Sequence, residues 1–256
     1  MRWMKIKALM YRDSITVRRV KFRIMELVYF PITTIIIWGM FAVYARQLAV
    51  EAGLIVLIIN IFWAFAHLAQ STTNVMMMED IWSGSLKQIL LTGISEFEYI
   101  IARMLTSAIS STIVVLVLIS LALLFGINFF RVDMIFLILI TLLGSMALAV
   151  IVAATIFRLG REYSFLVWSA IQLFIMFSAP FFPKEMFPKA ILYISYVMPF
   201  TAVFEAARAF STTGAFAPHL LWWGLAVCAG YFVIAWPMFA LSFRSAKKNG
   251  TLARMH

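Results

Sequence analysis

Six apolar stretches alternate with short polar segments along the chain, at roughly Tyr29–Ala45, Gly53–Asn74, Ile100–Phe125, Met134–Phe157, Ser164–Phe182 and Leu220–Phe243. A helix needs about 20 apolar residues to cross a hydrocarbon core, and each stretch is near that length. Lipid offers the backbone no hydrogen-bond partner, so the spans are expected to be helices. Barrel strands alternate apolar and polar positions, whereas these runs are continuous, which excludes an outer-membrane barrel. The expected fold is all-α and integral to a membrane. It has six transmembrane helices, an N-terminal amphipathic surface helix, and re-entrant helices between spans five and six. The chain divides into an amphipathic segment (1–28), the six-span domain (29–243) and a basic tail (244–256).

The segments between spans carry their own patterns. Over residues 3–27, Ile6, Leu9, Val17, Val20, Ile24 and Leu27 recur near helical spacing, with Arg12, Arg19 and Arg23 on another face. That pattern suits a helix lying in the membrane interface; the plainer reading is a basic tail that only sets topology. Pro31 suits the first turn of a helix, where no N–H is needed. Between spans two and three, segment 79–93 predicts a short helix at roughly Leu86–Leu91. Ser85 with Gln88 forms one expected capping box and Ser95 with Glu98 a second, and Gly93 closes the short helix. This helix is expected to expose Leu86, Ile89 and Leu90, with Leu91 beside them and Glu79, Asp80, Glu96 and Glu98 around them. Acidic surroundings make a protein cover a better fit than anionic lipid. Between spans five and six, Pro180, Pro183, Pro188 and Pro199 interrupt runs that stay apolar. Broken apolar helices of this kind predict a re-entrant segment over 179–208, packed in the outer leaflet. Glu205 and Arg208, three residues apart, read either as a plain helical ion pair or as the fixture of that segment.

Composition and charge sharpen this picture. Apolar residues make up 64% of the chain and charged residues 12%, far from the soluble average. No polar stretch is long enough for a second, soluble domain. The formal charge of +10 does not indicate nucleic acid, because its distribution is that of a membrane protein. Eight Lys and Arg precede the first span and four follow the last; with Lys87, Arg103, Arg158 and Arg161, 16 of the 21 fall on one side of a six-span chain. The positive-inside rule makes that side cytoplasmic and puts both termini there. Basic residues beside anionic lipid account for the excess. The first apolar run begins only near Leu27, so the start does not read as a cleavable signal. The single Cys228 lies within the last span, so no disulfide forms within the chain.

Candidate chemistry is sparse. No Gly-Lys pair occurs, so a phosphate-binding loop is absent. His67, His219 and His256 are scattered, with no metal-ligand spacing, and no nucleophile elbow is present. No catalytic residue, metal site or cofactor is therefore expected on this chain. The spans hold almost no acid; Asn60, His67, Gln70, Arg103 and Gln172 are their bulky polar residues. Ion-coupled carriers keep acids at depth, so the energy for any pumping is expected from elsewhere.

Together these residues resemble the membrane subunit of ABC exporters of the type-2 permease family. The N-terminal surface helix is similar to that family's connecting helix. Glu79 through Arg103, with Asp80, Gly84, Leu86, Ile89, Leu90 and Leu91, is similar to its coupling-helix region. The stretch 177–188 with Pro183 and Pro188, followed by Pro199, Glu205 and Arg208, looks like its last external signature. The family usually carries Asn-Pro before that Glu and Arg, and Met198 stands in the Asn position here. The resemblance implies a cell-membrane permease with the ATP bound by a partner, a cytoplasmic ATPase in two copies. It also implies pairing with a second permease copy or a homologous permease. The competing readings are an energy-independent channel or carrier, and a scaffold subunit of a membrane complex.

Overall fold

A computed structural model describes residues 3–19, 25–48, 50–124, 134–214 and 217–248. Helix α1 spans Trp3–Arg19. A π-helical turn at Met25–Tyr29 opens α2, Phe30–Leu48. The 33-residue α3 (Val50–Trp82), the short α4 (Ser85–Leu91) and α5 (Glu96–Leu124) follow. Helix α6 is Met134–Leu159, and a 3-10 turn at Arg161–Phe165 opens α7, Leu166–Phe177. A 3-10 turn at Lys184–Met186 precedes α8 (Lys189–Val197), α9 (Thr201–Thr213) and α10 (Pro218–Lys248). Every element among the described residues is helical, in keeping with the all-α expectation.

The number of full-length spans differs from the sequence expectation. Among the described residues four helices are long and apolar enough to cross a membrane alone: Gly53–Trp82, Glu96–Leu123, Met134–Leu159 and Pro218–Lys248. The predicted first and fifth spans are shorter apolar helices, Pro31–Ala45 and Glu162–Phe177. The fifth is cut short because Ala179 has φ +50° and Pro180 follows it, and the residue before a proline is disfavoured as helix. Helices α8 and α9 would make one further span if counted together, but they bend by 96° at their junction.

Helix α3 is the hub, packed against α2, α5, α6, α7 and α9, while α10 lies along α6. Polar side chains in α3 join it to its neighbours. Gln70 Nε2 donates to Asn74 Oδ1 at 2.5 Å and to the Val167 carbonyl at 3.1 Å, and Asn74 Nδ2 donates to the Ala149 carbonyl at 2.8 Å. Ser107 Oγ on α5 donates to the Ala69 carbonyl at 2.7 Å. Lipid is as apolar as the side chains it would replace, so close packing and such bonds hold membrane helices together. Gly144 marks a tight approach. A Cβ there would lie 3.1 Å from Pro199 Cβ and 3.3 Å from Phe200 Cε1, so the α8–α9 corner presses directly on the α6 backbone.

Helix α1 packs on α5. Ile6 and Leu9 are buried as the expected apolar face requires, and Val17 is half-buried. Val20, Ile24 and Arg23 lie outside the described residues, as does the Leu27 side chain. The polar side does not all face solvent, as an interfacial helix predicts. Asp13 is buried and Arg12 turns toward it. Helix α10 continues through Arg244 to Lys248, so the basic tail begins as helix; residues 249–256 lie outside the described residues.

Candidate functional site

Helix α4 is framed by two glycines. Gly84, at its N-cap with φ +70°, reverses the chain after α3, while the Ser83 and Gly84 N–H groups bond back to the Glu79 and Ile81 carbonyls at 2.9 and 3.2 Å. Only glycine holds such a φ without cost. The capping box expected from Ser85 and Gln88 does not form. Gly84 takes the cap position, no side chain caps the helix, and Ser85 Oγ donates instead to Asp80 Oδ1 at 3.0 Å. At the other end Gly93, φ +71°, donates its N–H to the Leu90 carbonyl at 3.1 Å. Lys5 Nζ from α1 donates to the Gly93 and Thr92 carbonyls at 2.5 and 3.3 Å. A cation at a helix C-terminus satisfies orphan carbonyls and opposes the helix dipole. The second capping box is complete: the Ser95 N–H donates to Glu98 Oε2 at 3.0 Å and the Glu98 N–H to Ser95 Oγ at 3.2 Å.

Exposure along α4 departs from the sequence expectation. Leu86 is buried in the core, Ile89 and Leu90 are half-buried, and Leu91 is 87% exposed. Leu86, Ile89 and Leu90 stand at i, i+3 and i+4 and so share one face, and that face turns inward, which leaves Leu91 outside it. Nor do the acids all ring the helix. Asp80 and Glu98 are buried, Glu79 is half-buried, and Glu96 accepts from Arg244 Nε at 2.9 Å.

Asp80 belongs to a buried ion network beneath α4. Arg103 on α5, fully buried, pairs through Nη2 with Asp80 Oδ2 and through Nη1 with Asp13 Oδ1 of α1. Arg12 Nη2 reaches Asp80 Oδ1 at 2.7 Å and Asp13 Oδ1 at 3.2 Å. The Tyr99 hydroxyl donates to Asp80 Oδ2 at 2.7 Å. Two cations and two carboxylates balance, as a buried charge requires. Burial pushes the Asp13 carboxyl above its ordinary range, and the two guanidiniums offset part of that push. Beside this network lies a cavity of about 610 Å³, lined among others by Arg12, Asp13, Glu79, Asp80 and Arg103. Arg103 stood out in the sequence as a polar residue in an apolar run and as the end of the stretch that resembles a coupling-helix region, but not as the partner of an acid, and Asp13 not at all. An acid on a basic surface helix and a lone Arg in an apolar one each demand a partner. That demand was the available signal.

The external signature residues gather at one place. Pro183 caps the 3-10 turn, Pro188 caps α8, and Pro199 lies in the corner between α8 and α9. Arg208 Nη2 donates to Glu205 Oε1 at 2.7 Å, and its Nη1 donates to the Ala179 and Pro180 carbonyls at 2.8 and 2.7 Å. The Lys184 N–H donates to Glu205 Oε1 at 3.3 Å. Met198 supplies no side-chain cap at the corner; Thr201 Oγ1 donates instead to the Ser195 carbonyl at 2.6 Å. Lys184 Nζ sits 5.5 and 5.6 Å from the Tyr196 and Trp223 ring centres. Among the described residues no group of three or more His, Cys, Asp or Glu could hold a metal ion.

The two clusters occupy opposite ends of the molecule. Helix α10 runs 31 residues, about 45 Å at helical rise. Trp223 near its start donates to the Tyr196 carbonyl at 3.1 Å, and Arg244 near its end pairs with Glu96 beside α4. The N-terminal helix, α4 and the C-terminal end of α10 therefore share one end. No curated protein matches the chain at a significant level. The model of a family described as ABC-2 family transporter protein matches residues 16–241, from the last turn of α1 to the last turns of α10. With its membrane-length helices and the match covering most of its length, the chain belongs to the ABC-2 transporter family, as a membrane transport subunit.

Proposed function

We propose that this chain is the permease subunit of an ATP-driven exporter in the cell membrane, working with a separate cytoplasmic ATPase. ABC-2 membership supports association with an ATP-binding subunit. The observation that carries the reading is Leu91. It is an 87% exposed leucine on a helix of about two turns tethered by Lys5 at its end, Ser85–Asp80 at its start and the Ser95–Glu98 box behind it. An exposed apolar residue on a fixed mount suits docking to a protein. Leu91, with the half-buried Ile89 and Leu90, makes the contact surface in this reading; Glu79, Asp80, Gly84 and Leu86 set its position. Two ATPase copies would serve a pair of permeases, a second copy of this chain or a homologous one, and ATP would be bound by the partner.

The end bearing α1, α4 and the C-terminus of α10 is then cytoplasmic, in line with the basic residues gathered there. Six crossings are proposed, with α2 and α7 as the two shorter spans and α8–α9 as a re-entrant element. The position of Gly144 supports the re-entrant element. It lies ten residues beyond Met134, about 15 Å along α6, and the Pro199–Phe200 corner touches it there. A solvated loop would not reach half the depth of a ~30 Å core. Pro183, Pro188, Pro199, Glu205 and Arg208 would then shape the outer mouth of the pathway.

Co-expression with a candidate ATP-binding subunit tests the proposal. The expected result is a stable complex whose ATP hydrolysis responds to the permease, with Leu91→Asp losing the complex while still inserting. Solute flux through the purified chain without any ATPase would contradict it and favour a channel or carrier.

A further inference from the structure

Arg103 is a fully buried cation that joins three separately placed elements from inside the fold. Its fork reaches Asp13 on α1 and Asp80 at the end of α3, and Asp80 in turn accepts from Ser85 at the start of α4. The Tyr99 hydroxyl, one turn earlier on α5, closes the same carboxylate from the side. Lys5, on the same α1, holds the far end of α4 through the Thr92 and Gly93 carbonyls. The start of this seven-residue helix is thus tied to α1 through Asp80 and Arg12 and its end through Lys5, while the Arg103 guanidinium ties both α1 and α3 to α5. A helix this short has no stability of its own and takes its orientation from its tethers.

We infer that Arg103 is the positioning residue for coupling: it locks α1, α4 and the first turns of α5 into one rigid body, so that a push on α4 moves α5. The inference rests on the ATP-driven reading. The chemistry follows from the guanidinium. Its planar fork sets Nη2 in a hydrogen bond to Asp80 and Nη1 in an ion pair with Asp13, two attachments from one rigid group. A lysine in its place keeps the charge but offers a single point of attachment, so one of the two carboxylates loses its partner. A neutral set of similar volume at Asp13, Asp80 and Arg103 removes the fully buried charges and leaves only Arg12, whose side chain is 38% exposed, without a carboxylate, which folded proteins often tolerate. The two replacements therefore separate stability from rigidity.

The test uses the full permease–ATPase complex in lipid vesicles and reads thermal stability and the stimulation of ATP hydrolysis by the permease. Arg103→Lys is expected to insert and to bind the ATPase, yet to lower stimulation about tenfold, within the usual range of coupling between sites. The combination Asp13→Asn, Asp80→Asn and Arg103→Met is expected to recover thermal stability without recovering stimulation. Stimulation close to that of the unaltered protein in either variant overturns the inference, because charge or packing alone would then suffice. A second arm needs no ATPase. In the isolated permease, backbone hydrogen exchange over residues 85–93 reports how firmly α4 is held, and Arg103→Lys is expected to raise it severalfold. Unchanged exchange sinks the positioning role by itself. Raised exchange in a complex that never hydrolyses ATP refutes the ATP-driven reading and leaves the tether standing.

Discussion

Replacing Arg208 by alanine should harm the fold more than replacing its partner Glu205, although the two form one ion pair. Arg208 makes three short bonds, to Glu205 Oε1 and to the Ala179 and Pro180 carbonyls, and its side chain is 11% exposed. Truncation leaves two largely buried carbonyls without that donor, at about 1–3 kcal/mol each, besides the lost charged bond. It also frees the backbone at Ala179, which φ +50° holds in the left-handed region, disfavoured for any residue with a Cβ. A loss of about 3.5 kcal/mol or more follows. Glu205 gives up one charged bond and a longer one from the Lys184 N–H, so Glu205→Ala should cost about 1.5–3 kcal/mol. The pair shares one contact, so the double variant should cost less than the sum by about 1 kcal/mol or more. Thermal unfolding of the four proteins in one detergent supplies the cycle. Strict additivity, or a larger loss from Glu205→Ala than from Arg208→Ala, would refute the assignment of Arg208 as the clamp of this corner.

Other outcomes follow from burial and geometry. Leu86→Asp places a charge in the core and should prevent stable accumulation, at several kcal/mol, whereas Leu91→Asp should leave thermal stability within about 0.5 kcal/mol and remove only ATPase binding; membrane yield and co-purification separate the two. Gly144→Val forces carbon atoms against Pro199 and Phe200 at distances already near 3.1 Å, so it should lose about 1–3 kcal/mol, read as lowered midpoint and as protease cleavage near 198–201 in intact cells. Ser95→Ala removes the hydroxyl that caps α5 and should cost about 1 kcal/mol, measured in the same unfolding assay, with Ser95→Thr recovering most of it.

What could be read from the sequence was what spacing along the chain decides. The Ser95–Glu98 box, the Gly93 closure and the Glu205–Arg208 pair are all contacts within a turn or so, and residue type plus spacing specifies them. The Ser85–Gln88 box met the same spacing rule and failed, because Asp80, five residues back, offered Ser85 Oγ a charged acceptor. The Arg103 network was invisible because Asp13 and Arg103 meet only after α1 folds onto α5. Leu86 was misplaced for a related reason: a helix of seven residues has too few positions for its inward face to show as a period. Apolar runs marked out membrane helices well but overstated the length of the fifth. Its run counts residues that the 3-10 turn and Pro180 divert from a straight helix.

The most direct test of docking through α4 is a photoreactive phenylalanine analogue placed at position 91 in membranes that contain the ATPase. Exposure there is 87%, so the probe disturbs no packing. The account predicts a cross-link from position 91 to the ATPase, and none from position 40, where Met40 is 64% exposed on α2 and should face lipid. Cross-linking of position 91 to lipid alone, with the ATPase present and active, would contradict it.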